Sequence, residues 1–262
     1  MKASGPPVPA AALDAFGLSG TPLRLAGGQG HSARVGEAVL APAGDEAATA
    51  ELAELVDCIA EDGFRLGRPL RASDGAWVAG GWTACRWITG ETGPSGRWPE
   101  LLEASRALHA ALRAVPRPPF LARRRDRWAT ADRMAWGEQP VVAPSWAAAL
   151  VERLAPLVRP DDEPSQLVHG DLSGNVLFAP GLAPGVIDLS LYWRPVRYAE
   201  AVVAVDALLW YDEDESVVEL VGGPALLPQA LLFRLCSHPP MSTAEAQRVV
   251  AVVEALEGWL RR

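Results

Sequence analysis

The chain is predicted to be an α+β protein of two lobes, a small β-rich N-terminal lobe and a larger helical C-terminal one. Three observations predict this. Up to about residue 90, short β-type runs alternate with glycine turns around one helical stretch. Beyond residue 98 most apolar residues fall at helical spacing. Between the two lies the polar, Gly- and Pro-rich stretch "TGETGPSGRWPE", Thr89 to Glu100, which reads as a joint. The expected lobes are residues 1–90 and 91–262.

In order along the chain, "TPLRLA" is a strand candidate that leads into "GGQG", Gly27 to Gly30, a tight glycine turn. "HSARVGEAVLAP" follows as a pair of short strands around Gly36. "DEAATAELAELVDCIAE" places Ala48, Leu52, Leu55, Val56 and Ile59 on one helical stripe, with acids at its N-terminal end. "FRLGRPLRASDGAWVAGGWTACRWITG" returns to strand character, with a turn at Ser73 to Gly75. After the joint, Leu101, Ala104, Leu108, Ala111 and Leu112 form another stripe, and "SWAAALVERLAPLV" a second helix. "QLVHGD", "GNVLF" and "GVIDLS" are three strand-like runs. Three helices end the chain, the last opened by a capping box of Ser242 and Glu245.

The totals narrow the function. Of 262 residues 49% are hydrophobic and 21% charged, enough for a sizeable core. A net charge of −8 argues against nucleic acid and anionic membrane as partners. No apolar run approaches the ~20 residues of a membrane span, and the N-terminal stretch lacks the apolar centre of a signal peptide, so a cytoplasmic protein is expected. Cys58, Cys85 and Cys236 form no CxxC pair and suggest buried reduced thiols rather than a zinc site. Lys2 is the only lysine; the other 23 of the 24 basic residues are arginines.

The chemistry concentrates in "LVHGDLSGNVLF", Leu167 to Phe178. His169, Asp171 and Asn175 share a short loop between apolar runs, and Asp188 ends "GVID". Two carboxylates and a carboxamide on neighbouring loops are hard oxygen ligands suited to Mg²⁺. Phosphoryl transfer needs a metal to neutralise charge and a carboxylate to accept the proton of the attacking hydroxyl. Asp171 is thus a candidate base, with Asn175 and Asp188 as candidate metal ligands. As a turn alone, "SGN" would be unremarkable; the combination carries the reading.

"HGDLSGNVLF" followed by "GVIDLS" resembles the aminoglycoside phosphotransferase and choline kinase-like superfamily, relatives of the protein kinases. More narrowly, "GGQG" and "HGDLxGNVLF" resemble an uncharacterised actinobacterial branch. The resemblance follows the order of elements through most of the chain. It implies a protein-kinase-like two-lobe fold, ATP and Mg²⁺, and phosphoryl transfer to a hydroxyl of a small molecule. It implies Asp171 as catalytic base, Asn175 and Asp188 as metal ligands, and His169 as the residue orienting the loop. Nucleotide is expected between the glycine turn (Gly27, Gly28, Gly30) and the backbone at Ile88 to Gly90.

Two departures stand out. The Asn follows the Asp by four residues (175 − 171), where kinase-type loops use five. The strand position of the kinase lysine holds Ala41 in "AVLAP". Arg34, on the neighbouring strand, could meet the phosphates instead, although a forked guanidinium is a different cation from an ammonium; it reads equally as a solvated strand residue. Glu51 and Glu54 read as exposed acids. Both departures favour the alternative of a catalytically impaired kinase-like protein that binds nucleotide or a partner. A metal phosphoesterase ranks last, because His31, His109 and His238 lie far from the loop in sequence.

Arg123, Arg124, Arg125 and Arg127 read either as a solvated helix start or as recognition of a phosphate-bearing substrate. Asp212 to Glu215 read as an acidic helix start, or as a site for a cationic acceptor.

Overall fold

The computed structural model describes residues 7–25, 31–159, 161–237 and 242–260. The chain divides into two compact units, residues 1–91 with 177–187, and residues 92–176 with 188–262.

In the first unit a short helix α1 (Ala10–Ala15) precedes β1 (Leu23–Arg24), β2 (Ala33–Val35) and β3 (Ala38–Pro42). Helix α2 (Glu46–Asp57) follows, then β4 (Arg65–Leu66), β5 (Pro69–Leu70), β6 (Val78–Ala79), β7 (Trp82–Arg86) and β8 (Glu91–Thr92). One antiparallel sheet has the order β1-β2-β3-β7-β5, with β6 paired to β7. Strand alternation gives it two distinct faces. Val35, Leu40, Trp82 and Ala84 are buried against Ala12 and Phe16 of α1 and its sequel. Full burial of a Leu or Val of this kind contributes about 1.5–3 kcal/mol. The opposite face carries Arg34 and Cys85, both paired with Val39, and Ala41 paired with Thr83.

Helix α2 begins where Asp45 accepts a hydrogen bond from the Ala48 amide at 3.0 Å. Arg68 closes its other end by donating to the carbonyls of Val56, Asp57 and Ile59. That leaves few orphan carbonyls at the helix C-terminus. Expectation and structure differ over the cysteines: Cys58 is exposed and Cys85 and Cys236 are half-buried, and among the described residues none of the three is in a disulfide. Cys58 caps α2, where side chains point outward.

The second unit opens with α3 (Trp98–Leu112), α4 (Pro119–Arg123), α5 (Arg127–Ala135) and α6 (Ala148–Leu154). Strands β9 (Gln166–His169) and β10 (Val176–Phe178) flank the HGD loop, and β11 (Gly185–Val186) and β12 (Leu191–Arg194) follow it. Helices α7 (Val196–Trp210), α8 (Ser216–Leu220), α9 (Leu227–Ser237) and α10 (Thr243–Leu260) complete the chain. Strands β10 and β11 carry the returning segment 177–187, and β11 pairs in parallel with β4. Arg65 reinforces that pairing, its Nε donating to the Ala183 carbonyl at 2.6 Å.

Helices α7 and α9 are the centre of the second unit. Every residue from Tyr198 to Leu209 and from Leu227 to Leu235 is buried, as expected of helices apolar around their whole circumference. The Ser242–Glu245 capping box forms at the start of α10. Among the described residues no helix is long and apolar enough to cross a membrane.

Candidate active site

The HGD loop is assembled from the backbone outward. Strand β12 runs antiparallel to β9, with Leu191 opposite His169. This register brings the bend at Asp188 back beside the loop, although the two motifs lie 17 residues apart (188 − 171). The Gly170 amide donates to the Ser190 carbonyl at 2.9 Å. The amides of Ser190 and Asp171 both donate to His169 Nδ1, at 3.2 and 3.4 Å. An Nδ1 that accepts twice places the imidazole proton on Nε2. His169 is buried and works by tying both loops together. Gly170 is required by close approach: a Cβ there would stand 2.7 Å from the Tyr192 ring.

Behind His169 sits His109 of α3, whose Nε2 accepts from the His169 amide at 3.0 Å while its Nδ1 meets Ser105 Oγ at 3.3 Å. Burial, and then His169, push the His109 imidazole down to about 3. It therefore stays neutral, the form that can accept. Distance in sequence set His109 apart from the loop, and the fold corrects that: it is the loop's anchor.

Asp171 is half-exposed, and its two carboxylate oxygens have different neighbours. Oδ1 accepts from Arg234 Nη2 at 2.7 Å, while Oδ2 has only a 3.4 Å contact from Asn175 Nδ2. Arg234, on α9, also forms a bidentate pair with Asp206 of α7, Nε and Nη2 each at 2.6 Å. Burial opposes the Arg234 charge, but Asp206 and then Asp171 outweigh it and hold the guanidinium above its usual range. Arg234 and Asp206 are functional-site residues that the motif reading missed. Each is the lone charge in an apolar helical run, "LLFRLC" and "VAVDALL", and that is the signal: buried charges are paired.

The short Asp-to-Asn spacing is absorbed by a turn in which the Asn175 amide donates to the Leu172 carbonyl at 2.9 Å. Gly174, inside this turn, takes no positive φ. Asn175 Nδ2 donates to the Asp171 carbonyl at 2.7 Å, so its Oδ1 is left as an acceptor for a cation. Asp188 adopts φ +49°, uncommon outside glycine, just past the end of β11. Its side chain has no hydrogen-bond or ion-pair partner among the described residues. It is exposed, yet desolvation and then the Asp171 charge push its carboxyl up. An unpartnered carboxylate beside a second one is a place that a divalent cation would stabilise. Among the described residues no three His, Cys, Asp or Glu side chains gather as a metal centre.

In the first unit, Arg34 Nη2 pairs with Glu37 at 2.8 Å and its guanidinium lies over the Trp87 ring. Glu54 accepts from Trp77 Nε1 at 2.7 Å and from Arg71, so it serves the unit's own packing. Ile88 is buried, and a Cβ on Gly185 would collide with it. Gly27, Gly28 and Gly30 lie outside the described residues.

Residues 2–218 match the family model described as the phosphotransferase enzyme family, APH. The chain belongs to this family. No curated protein matches the chain. Among solved structures, the amicoumacin kinase hAmiN in complex with AMP-PNP, Ca²⁺ and Ami is similar at TM-score 0.60 and 13% identity, over 91% of this chain and 88% of that one. A choline/ethanolamine kinase family protein from Mesorhizobium loti is similar at TM-score 0.54 and 19% identity, over 92% and 89%. LicA in complex with AMP follows at TM-score 0.52 and 12% identity, over 91% and 92%. At these identities the likeness shows the fold, which is the protein-kinase-like one expected of the APH family.

Proposed function

We propose that this APH-family chain is an ATP- and Mg²⁺-dependent phosphotransferase whose acceptor is a hydroxyl of a small molecule. One observation carries the reading: Asp171, Asn175 and Asp188 converge, and Asp188 has no partner among the described residues. A carboxylate that raises the pKa of another has no structural use on its own. With a cation between them, the same pair becomes an asset.

Asp171 accepts the acceptor hydroxyl's proton at Oδ2, since Oδ1 is held by Arg234. The acceptor oxygen forms its bond to the γ-phosphorus as the bond from that phosphorus to the ADP oxygen breaks, and ADP leaves with the electron pair. Asn175 Oδ1 and the Asp188 carboxylate would hold Mg²⁺. When bound, the metal neutralises charge on the phosphates. His169 and His109 act as positioning residues, fixing the backbone that carries Asp171. Gly27, Gly28 and Gly30, which lie outside the described residues, are assigned to the phosphates on the sequence motif alone, and Ile88 to the adenine. Arg34 supplies the cation that Ala41 does not. It must leave Glu37 to do so, which costs about 1 kcal/mol or less for an exposed pair.

The test is Asp171→Asn, assayed with an acceptor that the wild type phosphorylates. Turnover should fall by about 10²–10⁴ while Mg²⁺-dependent nucleotide binding persists. Unchanged turnover would remove Asp171 as the base. The second reading, a non-catalytic nucleotide- or partner-binding protein, is favoured by Ala41 and by the engagement of Arg34 with Glu37. Under it, wild type and Asp171→Asn would show the same trace of ATP hydrolysis.

A further inference from the structure

The second unit contains a cavity of about 450 Å³ whose lining includes none of Asp171, Asn175 and Asp188. Five arginines line it, Arg117, Arg124, Arg125, Arg133 and Arg194, against two acids, Asp132 and Glu138. Both acids are spent on one partner: Arg194 pairs with Asp132 through Nη2 and with Glu138 through Nη1, each at 2.6 Å. Arg124 is matched by Asp126, from outside the lining, at 2.9 Å. Counting that third acid, five positive charges face three negative ones, leaving an excess of two.

The excess sits on particular side chains. Arg125 donates only to the carbonyls of Ala122 and Arg124, and Arg133 to Gln139, Thr130 and the Arg124 carbonyl. Neither has a carboxylate partner among the described residues, and the same holds for Arg117. In a chain of net charge −8, three unneutralised guanidiniums around one cavity are a concentration of the minority charge. Guanidiniums are forked donors that fit phosphate and carboxylate oxygens.

The cavity is built onto the catalytic loop. Leu191, Tyr192, Trp193 and Arg194 form one wall, and they are strand β12, whose partner β9 ends in His169. Arg124 Nη1 donates to the Leu191 carbonyl at 2.8 Å and its guanidinium lies over the Tyr192 ring. That ring is the group pressed against Gly170, the residue before Asp171. Two of the four acids of the stretch Asp212 to Glu215 have partners. Asp212 pairs with Arg248, and Asp214 accepts from the Ser216 amide at 2.9 Å to start α8.

Resting on the phosphotransferase reading, we propose that the arginine cavity binds an oxyanion group, phosphate or carboxylate, on the acceptor. The acceptor is then a small anionic hydroxyl compound and not a polycation. Arg117 and Arg125 contribute directly and Arg124 braces the wall.

Calorimetry on the full chain without nucleotide tests this, titrating inorganic phosphate and, separately, succinate at low salt. Wild type should bind at least one of the two anions. Arg117→Gln/Arg125→Gln, both exposed and without side-chain partners, should bind at least about tenfold more weakly, the effect of losing one charge-assisted contact. Arg113→Gln, which removes one charge at an exposed site outside the lining, should bind like wild type. Binding of phosphate alone would point to a phosphorylated acceptor, and binding of both to dianions in general. Binding of neither, or equal binding by the double variant, would overturn the proposal. AMP-PNP with Mg²⁺ is titrated into the same proteins. Loss of nucleotide in the double variant would also overturn it, by making these arginines part of the nucleotide site. Failure of nucleotide to bind wild type would instead sink the phosphotransferase reading and leave the anion result standing.

Discussion

The catalytic loop and the inner sheet of the first unit are held in opposite ways. Around Asp171, every link leads to a buried partner: His169 to His109, Asp171 to Arg234, Arg234 to Asp206. On the sheet face bearing Arg34 and Ala41, the cation is half-exposed and its partner Glu37 is largely in solvent. A buried, fully partnered network fixes one geometry, whereas an exposed pair exchanges readily with water or ligand. Under the proposed reading, Asp171 is held in place before any ligand arrives, while Arg34 has to change partners to meet one.

The sharpest way to break this contrast is at Asp171 itself, where asparagine should remove about 10²–10⁴ of turnover with folding intact. Circular dichroism beside the activity assay separates the two. Next in size is Arg234→Met. It strands Asp206, a fully buried carboxylate, and should cost about 3–5 kcal/mol in urea unfolding. Arg234→Met/Asp206→Leu should recover much of that stability while leaving turnover low, because Asp171 remains unsupported. Recovery of both would reduce Arg234 to a packing residue.

How much of this the sequence reveals depends on the type of residue. His169, Asp171, Asn175 and Asp188 are legible because they crowd into two short segments with no apolar alternative. Strand β12 is not: "LYWR" is four residues long without polar and apolar alternation, and pairing with β9 makes it a strand. The same is true of His109, whose place on an apolar helical stripe gives no hint of a partner 60 residues on. Arg234 and Asp206 lie between these cases, visible as isolated charges in apolar helices but pairable only in three dimensions. Likewise Arg123, Arg124, Arg125 and Arg127 read as a solvated helix start, and the fold places two of them, Arg124 and Arg125, on the cavity.

His109 gives a pH test of the buried side of the contrast. In the fold its imidazole is pushed down to about 3, whereas in the unfolded chain it titrates near 6.5. As pH falls the unfolded chain takes up the proton first, so this residue's contribution is complete above 6.5 and drains away between 6.5 and about 3. The loss reaches up to about 5 kcal/mol at the low end. His109→Gln keeps an acceptor for the His169 amide without a titrating group. It should be less stable than wild type at pH 7.5 and flatter between pH 6.5 and 4 in urea-unfolding midpoints. Parallel curves for the two proteins would mean that His109 is not held neutral.

The smallest expected effect is on the exposed side. Ala41→Lys restores an ammonium to the Arg34 face of the sheet and should tighten nucleotide binding about fivefold, the value of a solvent-exposed ion pair near 1 kcal/mol. No gain would mean that the phosphates do not pass that face.

The central claim is that Asn175 and Asp188 form a metal site serving a nucleotide. Calorimetric titration of AMP-PNP with and without Mg²⁺, on wild type and Asp188→Ala, tests it most directly. The account predicts binding that requires Mg²⁺ and that weakens at least about tenfold in the variant. Binding that is indifferent to Mg²⁺, or equally strong in Asp188→Ala, would contradict it.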